Sequence, residues 1–160
     1  MENEIFEQFM SIALDEAFKA KKIDEVPVGA VIVKDGKVIA KAHNKKNKQK
    51  NALRHAEILA LNKAQKKLKD WHLYDCTLFV TLEPCPMCAG AIINSRVGKV
   101  VFGAYDKKAG CFGSVFDFSN AFNHTPQIFG GIKEKECGEI LTNYFKQKRE
   151  KKNGDKRSRN

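Results

Sequence analysis

No apolar run in these 160 residues nears the roughly 20 needed to cross a bilayer, so the sequence contains no membrane-spanning helix. The opening residues, Met1-Glu2-Asn3-Glu4-Ile5-Phe6-Glu7, are acidic and lack the basic start and apolar core of a signal peptide. Cysteine is sparse and odd in number, five in all, with no disulfide-like spacing. That usage suits a reducing compartment, and a cytoplasmic protein is the expectation. No stretch rich in Pro or Gly divides the chain and no segment repeats, so the expectation is one domain with a sizeable core.

Acidic residues are also in short supply, 19 against 29 Lys and Arg, for a net charge of +10. The excess is uneven. Residues 41–50 carry five lysines and no acid, and residues 146–160 carry eight Lys or Arg against Glu150 and Asp155. Such runs are solvated surface or an electrostatic footprint for nucleic acid, and charge alone does not choose. Residues 152–160 hold no apolar side chain, which predicts a basic disordered tail after a domain of residues 1–151.

Over residues 3–22 the apolar side chains Ile5, Phe6, Phe9, Met10, Ala13 and Ala17 recur at helical spacing. An apolar strand over 26–33, the turn Asp35-Gly36 and a strand over 37–44 read as a hairpin. A basic loop follows, then a helix over 55–68, a strand over 77–81, a helix over 87–95 and a strand over 97–103. The stretch 104–125 has no clear pattern. A short strand near 127–129 and a helix from 133 to about 150 complete the chain. This order describes an α/β fold: three layers, α/β/α, around a central mixed five-stranded sheet. The hairpin is antiparallel, and βαβ crossovers make the rest parallel.

One stretch organises the others: Thr81-Leu82-Glu83-Pro84-Cys85-Pro86-Met87-Cys88-Ala89-Gly90-Ala91. Pro86 suits the first turn of a helix, which makes Cys85 the N-cap and Cys88 the third helical residue. The positive end of the helix dipole there favours thiolates. A catalytic zinc takes three protein ligands and leaves one position open. Of four histidines, His43, His72 and His124 read as structural or exposed, whereas His55 opens a helix and is followed by Ala56 and Glu57. Residues two apart on a regular helix point about 200° apart, so His55 and Glu57 converge only if His55 lies at the non-helical entry. Alone, Cys-x-x-Cys reads as a redox pair or as half of a structural zinc knot. A knot needs a fourth ligand, and neither Cys76, Cys111 nor Cys137 repeats the pattern.

His-x-Glu with Pro-Cys-x-x-Cys is the signature of the zinc nucleobase deaminases. On these motifs the chain resembles the cytidine deaminase superfamily, most closely the bacterial tRNA-specific adenosine deaminases. Pro27-Val28-Gly29-Ala30, Ser95-Arg96-Val97-Gly98, Gly110-Cys111-Phe112-Gly113-Ser114, Asn123-His124 and Tyr144-Phe145 extend the resemblance over nearly the whole chain. It implies one zinc ion on His55, Cys85 and Cys88, with Glu57 as the proton shuttle. It also implies substrate contacts from Asn44, from the Ala56 backbone N–H, from Asp106 and from Phe145. Alone, Asn44, Asp106 and Phe145 read as a strand-end turn residue, a loop carboxylate and a core aromatic. The family enters its His-Ala-Glu through Asp-Pro-Thr-Ala, where this chain has Asn51-Ala52-Leu53-Arg54, so Arg54 becomes a candidate phosphate contact.

The implied activity is hydrolytic deamination of adenosine to inosine at the wobble position of a tRNA anticodon, by a homodimer. Two alternatives stand beside it: a free-base deaminase acting on guanine or cytosine, and a noncatalytic zinc-containing RNA-binding module. The basic surfaces favour RNA over a free base, and Glu57, a carboxylate outside the ligand set, favours chemistry over a purely structural metal.

Overall fold

A computed structural model describes the backbone of residues 1–158 and the side chains of residues 1–155. Its elements are α1 (Glu2–Lys22), β1 (Gly29–Lys34), β2 (Lys37–His43), α2 (Ala56–Leu68), β3 (Cys76–Leu82), α3 (Pro86–Asn94), β4 (Lys99–Ala104), β5 (Gln127–Phe129) and α4 (Glu134–Ser158). The five strands form one sheet in the order β2-β1-β3-β4-β5.

Strand β1 is antiparallel to both β2 and β3, while β3–β4 and β4–β5 are parallel. Strands β2 to β5 therefore share one direction and β1 alone is reversed. This corrects the expectation that every pairing after the hairpin is parallel: the crossover from β2 to β3 passes over β1, and the β1–β3 pair is antiparallel. Side chains explain the order. Ala30, Val31, Ile32 and Val33 on β1 are all buried, as an interior strand requires. Strand β2 exposes Lys37 and Lys41, which suits an edge and discourages pairing with another chain.

Alternate residues of each interior strand feed two cores. Ala30, Ile32, Leu78, Val80, Val100 and Phe102 pack with Ala60, Leu61 and Ala64 of α2 and with Ala89 and Ile92 of α3. Val31, Val33, Phe79 and Val101 pack with Phe6, Met10 and Ala13 of α1 and with Ile140 of α4. Burying side chains of the size of Phe6 or Met10 contributes roughly 1.5–3 kcal/mol each. Helices thus cover both faces, and the three-layer α/β/α expectation holds.

Gly29 is where α1 and β1 come closest. A Cβ there would lie 1.9 Å from the Ala13 carbonyl oxygen and 2.6 Å from the Ala17 nitrogen, both backbone atoms unable to step aside. Gly29→Ala is therefore expected to destabilise by at least the roughly 1–3 kcal/mol of an overpacked core. The check is a urea midpoint well below that of the wild type.

The last helix is longer than its sequence predicts. It reaches Ser158, so residues 152–158 continue it where an unstructured tail is expected; residues 159–160 lie outside the described ones. Lys and Arg are good helix formers, but Asn153, Gly154 and Asp155 are weak ones, and no packing contact among the described residues explains the extension. The helix is tied at its middle, where the Tyr144 hydroxyl donates to the Asp24 carbonyl oxygen at 3.2 Å and Lys148 Nζ pairs with Asp24 Oδ2 at 2.6 Å. No helix among the described residues is long and apolar enough to cross a membrane.

Candidate active site

Strand β3 ends at Leu82 and α3 begins at Pro86, so Cys85 falls at the junction. It is the N-cap, with extended backbone (φ −75°, ψ 174°), and Pro86 follows in the first helical turn. Cys88 is the third residue of α3 and is fully buried. On the opposite side, His55 is the N-cap of α2, also extended (φ −70°, ψ 152°). Because His55 has left the helical screw, its ring turns toward the cysteines, while Glu57, the second residue of α2, faces the same cavity. The sequence argument for His55 and Glu57 required this geometry.

Among the described residues, His55, Cys85 and Cys88 are the one group of three or more such side chains whose ligand atoms lie within 4.8 Å of each other. His55 Nδ1 stands 3.6 Å from Cys85 Sγ and 3.6 Å from Cys88 Sγ. Zinc–sulfur bonds of about 2.3 Å and zinc–nitrogen bonds of about 2.0–2.1 Å at a tetrahedral angle put N and S about 3.6 Å apart. The spacing fits a metal held by this tripod, and thiolate with imidazole is a donor set that zinc prefers.

The electrostatics of the bare tripod agree. A hydrogen bond from the Cys88 thiol, joined by one with His55, lowers the Cys85 thiol to about 4. Cys88 is pushed the other way, because its proton is engaged by Cys85 and its sulfur is buried. One anion between the two sulfurs makes a second costly unless a cation joins them. The hydrogen bond with Cys85 raises His55, and burial raises the Glu57 carboxyl to about 6. Burial also raises the thiols of Cys76, Cys111 and Cys137, the last to about 12.

Stripped of metal at pH 6, the folded protein should thus be alkylated by iodoacetamide at Cys85 first, with Cys76, Cys111 and Cys137 spared. Added zinc should suppress the labelling. Peptide mapping checks both.

His55, Glu57 and Cys85 line a pocket of about 230 Å³ whose walls include Val26, Val28 and Leu82. That is below the roughly 300–1,000 Å³ of drug-sized ligand sites and suits a single planar base. Asn44 and Ala56 also line it. The Asn44 side chain is 7 % exposed; its Oδ1 accepts from the Lys46 N–H at 3.3 Å.

Asp106 and Phe145 lie outside the pocket. Asp106 Oδ1 accepts from the N–H groups of Lys108 and Ala109, closing a turn after β4. Phe145 is 44 % exposed on α4, so the core reading fails; it borders a shallow hollow with Lys108, Lys148, Arg149 and Lys152. Arg54 is half-buried, and its Nε has no hydrogen-bond partner. His43, His72 and His124 stay out of the tripod: His43 lies 3.7 Å from Glu16, His72 pairs with Asp70, and His124 bonds the Val97 carbonyl.

Two carboxylates escape the sequence reading. Glu83 is 1 % exposed and accepts from the N–H groups of Asp106, Phe112 and Ser114, at 3.0, 3.0 and 3.1 Å, and from the Ser114 hydroxyl. It thereby orders the stretch after β4 that has no periodicity of its own. Glu25, also 1 % exposed, accepts from the N–H groups of Asn47 and Lys48, at 3.2 and 2.5 Å, and fixes the lysine loop. The signal available for Glu83 is an acid between an apolar strand and the Pro-Cys of a metal motif. Glu25 has no comparable signal.

Residues 3–149 match the model of the MafB19-like deaminase family. The tRNA-specific adenosine deaminase of Bacillus subtilis is 47% identical over 148 residues, spanning 91% of this chain and 92% of that protein. Its counterpart from Haemophilus influenzae is 42% identical over 157 residues, 96% of this chain and 91% of that one. Among solved structures, one from a study of A-to-I editing by tRNA:A34 deaminases superposes with a TM-score of 0.80 at 43% identity, covering 84% of this chain and 99% of its own. A guanine deaminase from Nitrosomonas europaea gives 0.74 at 26% identity over 86% and 83% of the two chains. The matched residues include every strand, the tripod and Glu57, and the chain belongs to the MafB19-like deaminase family, alongside the tRNA-specific adenosine deaminases.

Proposed function

We propose that the protein deaminates adenosine to inosine at the wobble position of tRNA, with zinc held by His55, Cys85 and Cys88. The observation that carries the reading is the buried carboxylate of Glu57 facing this tripod across the floor of a base-sized pocket. Identity of 42–47% to tRNA-specific adenosine deaminases over nine-tenths of the chain supports adenosine in tRNA over a free base.

Zinc so bound lowers the pKa of a water and supplies a hydroxide near neutral pH. The work of the chain itself is orientation and proton transfer. Val26, Val28 and Leu82 take the faces of the purine and exclude bulk water, and Asn44 and the Ala56 N–H engage its polar edge. Glu57 Oε removes a proton from the attacking water and delivers it to the ring nitrogen next to C6. The C6–N6 bond then breaks, and ammonia departs with a second proton passed through Glu57. Water and adenosine are consumed, inosine and ammonia are formed, and no oxidant is needed.

Outside the pocket, Asp106 and Phe145 meet flanking nucleotides, with Lys108, Lys148 and Arg149 supplying charge. Val115, Phe116 and Phe122 are exposed by 43, 61 and 57%, a surface that supports a homodimer. Five unpaired cysteines support a cytoplasmic setting.

Incubating the zinc-loaded protein with a wobble-adenosine anticodon stem-loop, and separately with guanine, cytosine and adenosine, tests the reading. Inosine in the stem-loop is expected. Turnover of a free base without turnover of the RNA would replace it with the free-base reading, and no turnover with zinc bound would favour a noncatalytic module.

A further inference from the structure

We infer that Lys46 reads the phosphodiester flanking the target nucleotide, and so selects a base within a polynucleotide over the same base free. The inference deepens the reading above and rests on it.

Lys46 is the only Lys or Arg among the residues that line the pocket. Its side chain is exposed at the mouth, and no described carboxylate pairs with it. A lone surface lysine ordinarily sweeps a wide volume, but the backbone here is pinned on both sides. The Lys46 N–H donates to Asn44 Oδ1 at 3.3 Å, and the next two N–H groups, of Asn47 and Lys48, donate to buried Glu25. The loop closes on itself as well: the Asn51 N–H reaches the Lys46 carbonyl at 3.0 Å, and the Lys45 N–H reaches that of Arg54 at 3.0 Å. A buried carboxylate that holds two backbone groups fixes where the backbone of Lys46 stands, and so keeps its ammonium within reach of the pocket.

Position then dictates chemistry. Buried Glu57 lines the pocket with His55 and Cys85, whereas Lys46 is its exposed lining residue, so the amino-bearing edge of the base must enter first. The sugar and its phosphates remain at the mouth, where Lys46 offers a point charge with three donors. A free purine has no phosphate to meet it. The tripod and Glu57 serve either substrate, so discrimination must come from the rim.

The test uses the zinc-loaded full chain and the anticodon stem-loop, with KM measured from low to high salt. Losing one phosphate contact should lower the slope of log affinity against log salt by about 0.7–0.9. Lys46→Ala should show that drop, with KM raised about tenfold, as for a lost hydrogen bond to a charged group. The loss should fall on KM rather than kcat, with zinc content as in the wild type. Lys46→Arg should restore most of the slope. Replacing the phosphates on either side of the target nucleotide with uncharged methylphosphonates should reproduce the defect in the wild type and add nothing in Lys46→Ala.

An unchanged slope and KM in Lys46→Ala, or additive losses on the methylphosphonate RNA, would overturn the inference while the deaminase reading stands. A wild type that fails to deaminate the stem-loop removes both.

Discussion

Glu57→Gln is expected to lower turnover by about 10³-fold, inside the roughly 10²–10⁴ span of general acid–base catalysis, with the metal retained. The substitution keeps the size and one acceptor oxygen and removes the capacity to move a proton. Since Glu57 is not one of the tripod atoms, metal analysis should match the wild type. Turnover within tenfold of wild type would remove the proton-shuttle role.

The same side chain sets a pH signature. Burial raises its carboxyl from 4.5 to about 6 in the bare site, and a cation bound beside it would pull it back. The acidic limb of kcat/KM should therefore fall between 4.5 and about 6. For stability the sign follows from a folded pKa above the unfolded one. The contribution is complete below 4.5 and is lost as pH rises through about 6. At 1.36 kcal/mol per pKa unit, the metal-free wild type gives up about 2 kcal/mol across that window. Metal-free Glu57→Gln keeps it, so the inactive variant should be the more stable of the two at pH 7.

The second large effect concerns the tripod. Cys88→Ser should lose most of the bound zinc and unfold at markedly lower temperature. A metal at about 1,000 times its Kd stabilises by about 4 kcal/mol. For a chain of this size each kcal/mol moves Tm by about 2–4 °C, which predicts a fall of about 8–16 °C. The serine hydroxyl is a poor ligand at neutral pH, and at a position with 0 % exposure it also needs a partner. Comparing wild type and variant in chelator separates the two contributions: the metal-dependent part of the gap should vanish there. Metal stoichiometry equal to wild type would exclude Cys88 as a ligand.

Much of the site is legible in the sequence because its logic is local. Pro86 after Cys85 fixes a helix start, a helix start orients two cysteines three apart, and the extended backbone of His55 lets it converge with Glu57. Each step spans fewer than four residues. The helices and strands with regular apolar spacing, from Phe6 and Met10 of α1 to Leu78 and Val80 of β3, are legible for the same reason.

What resists is held by contacts distant in sequence. Glu83 orders a loop 23 to 31 residues away, and Glu25 holds a loop 22 and 23 residues away. Neither loop has periodicity to announce it.

Local sequence was enough for the metal motif, the carboxylate proposed as proton carrier, the alternation of strands and helices and the excess of positive charge. These follow from backbone geometry over one or two turns and from composition. That β1 lies between β2 and β3 emerges in three dimensions alone, because that order depends on which strand has both faces covered by apolar packing. The tertiary structure alone brought His55 to 3.6 Å from sulfurs 30 and 33 residues away. It also put one lysine of five at the pocket mouth, since a buried carboxylate on another segment sets where that loop stands.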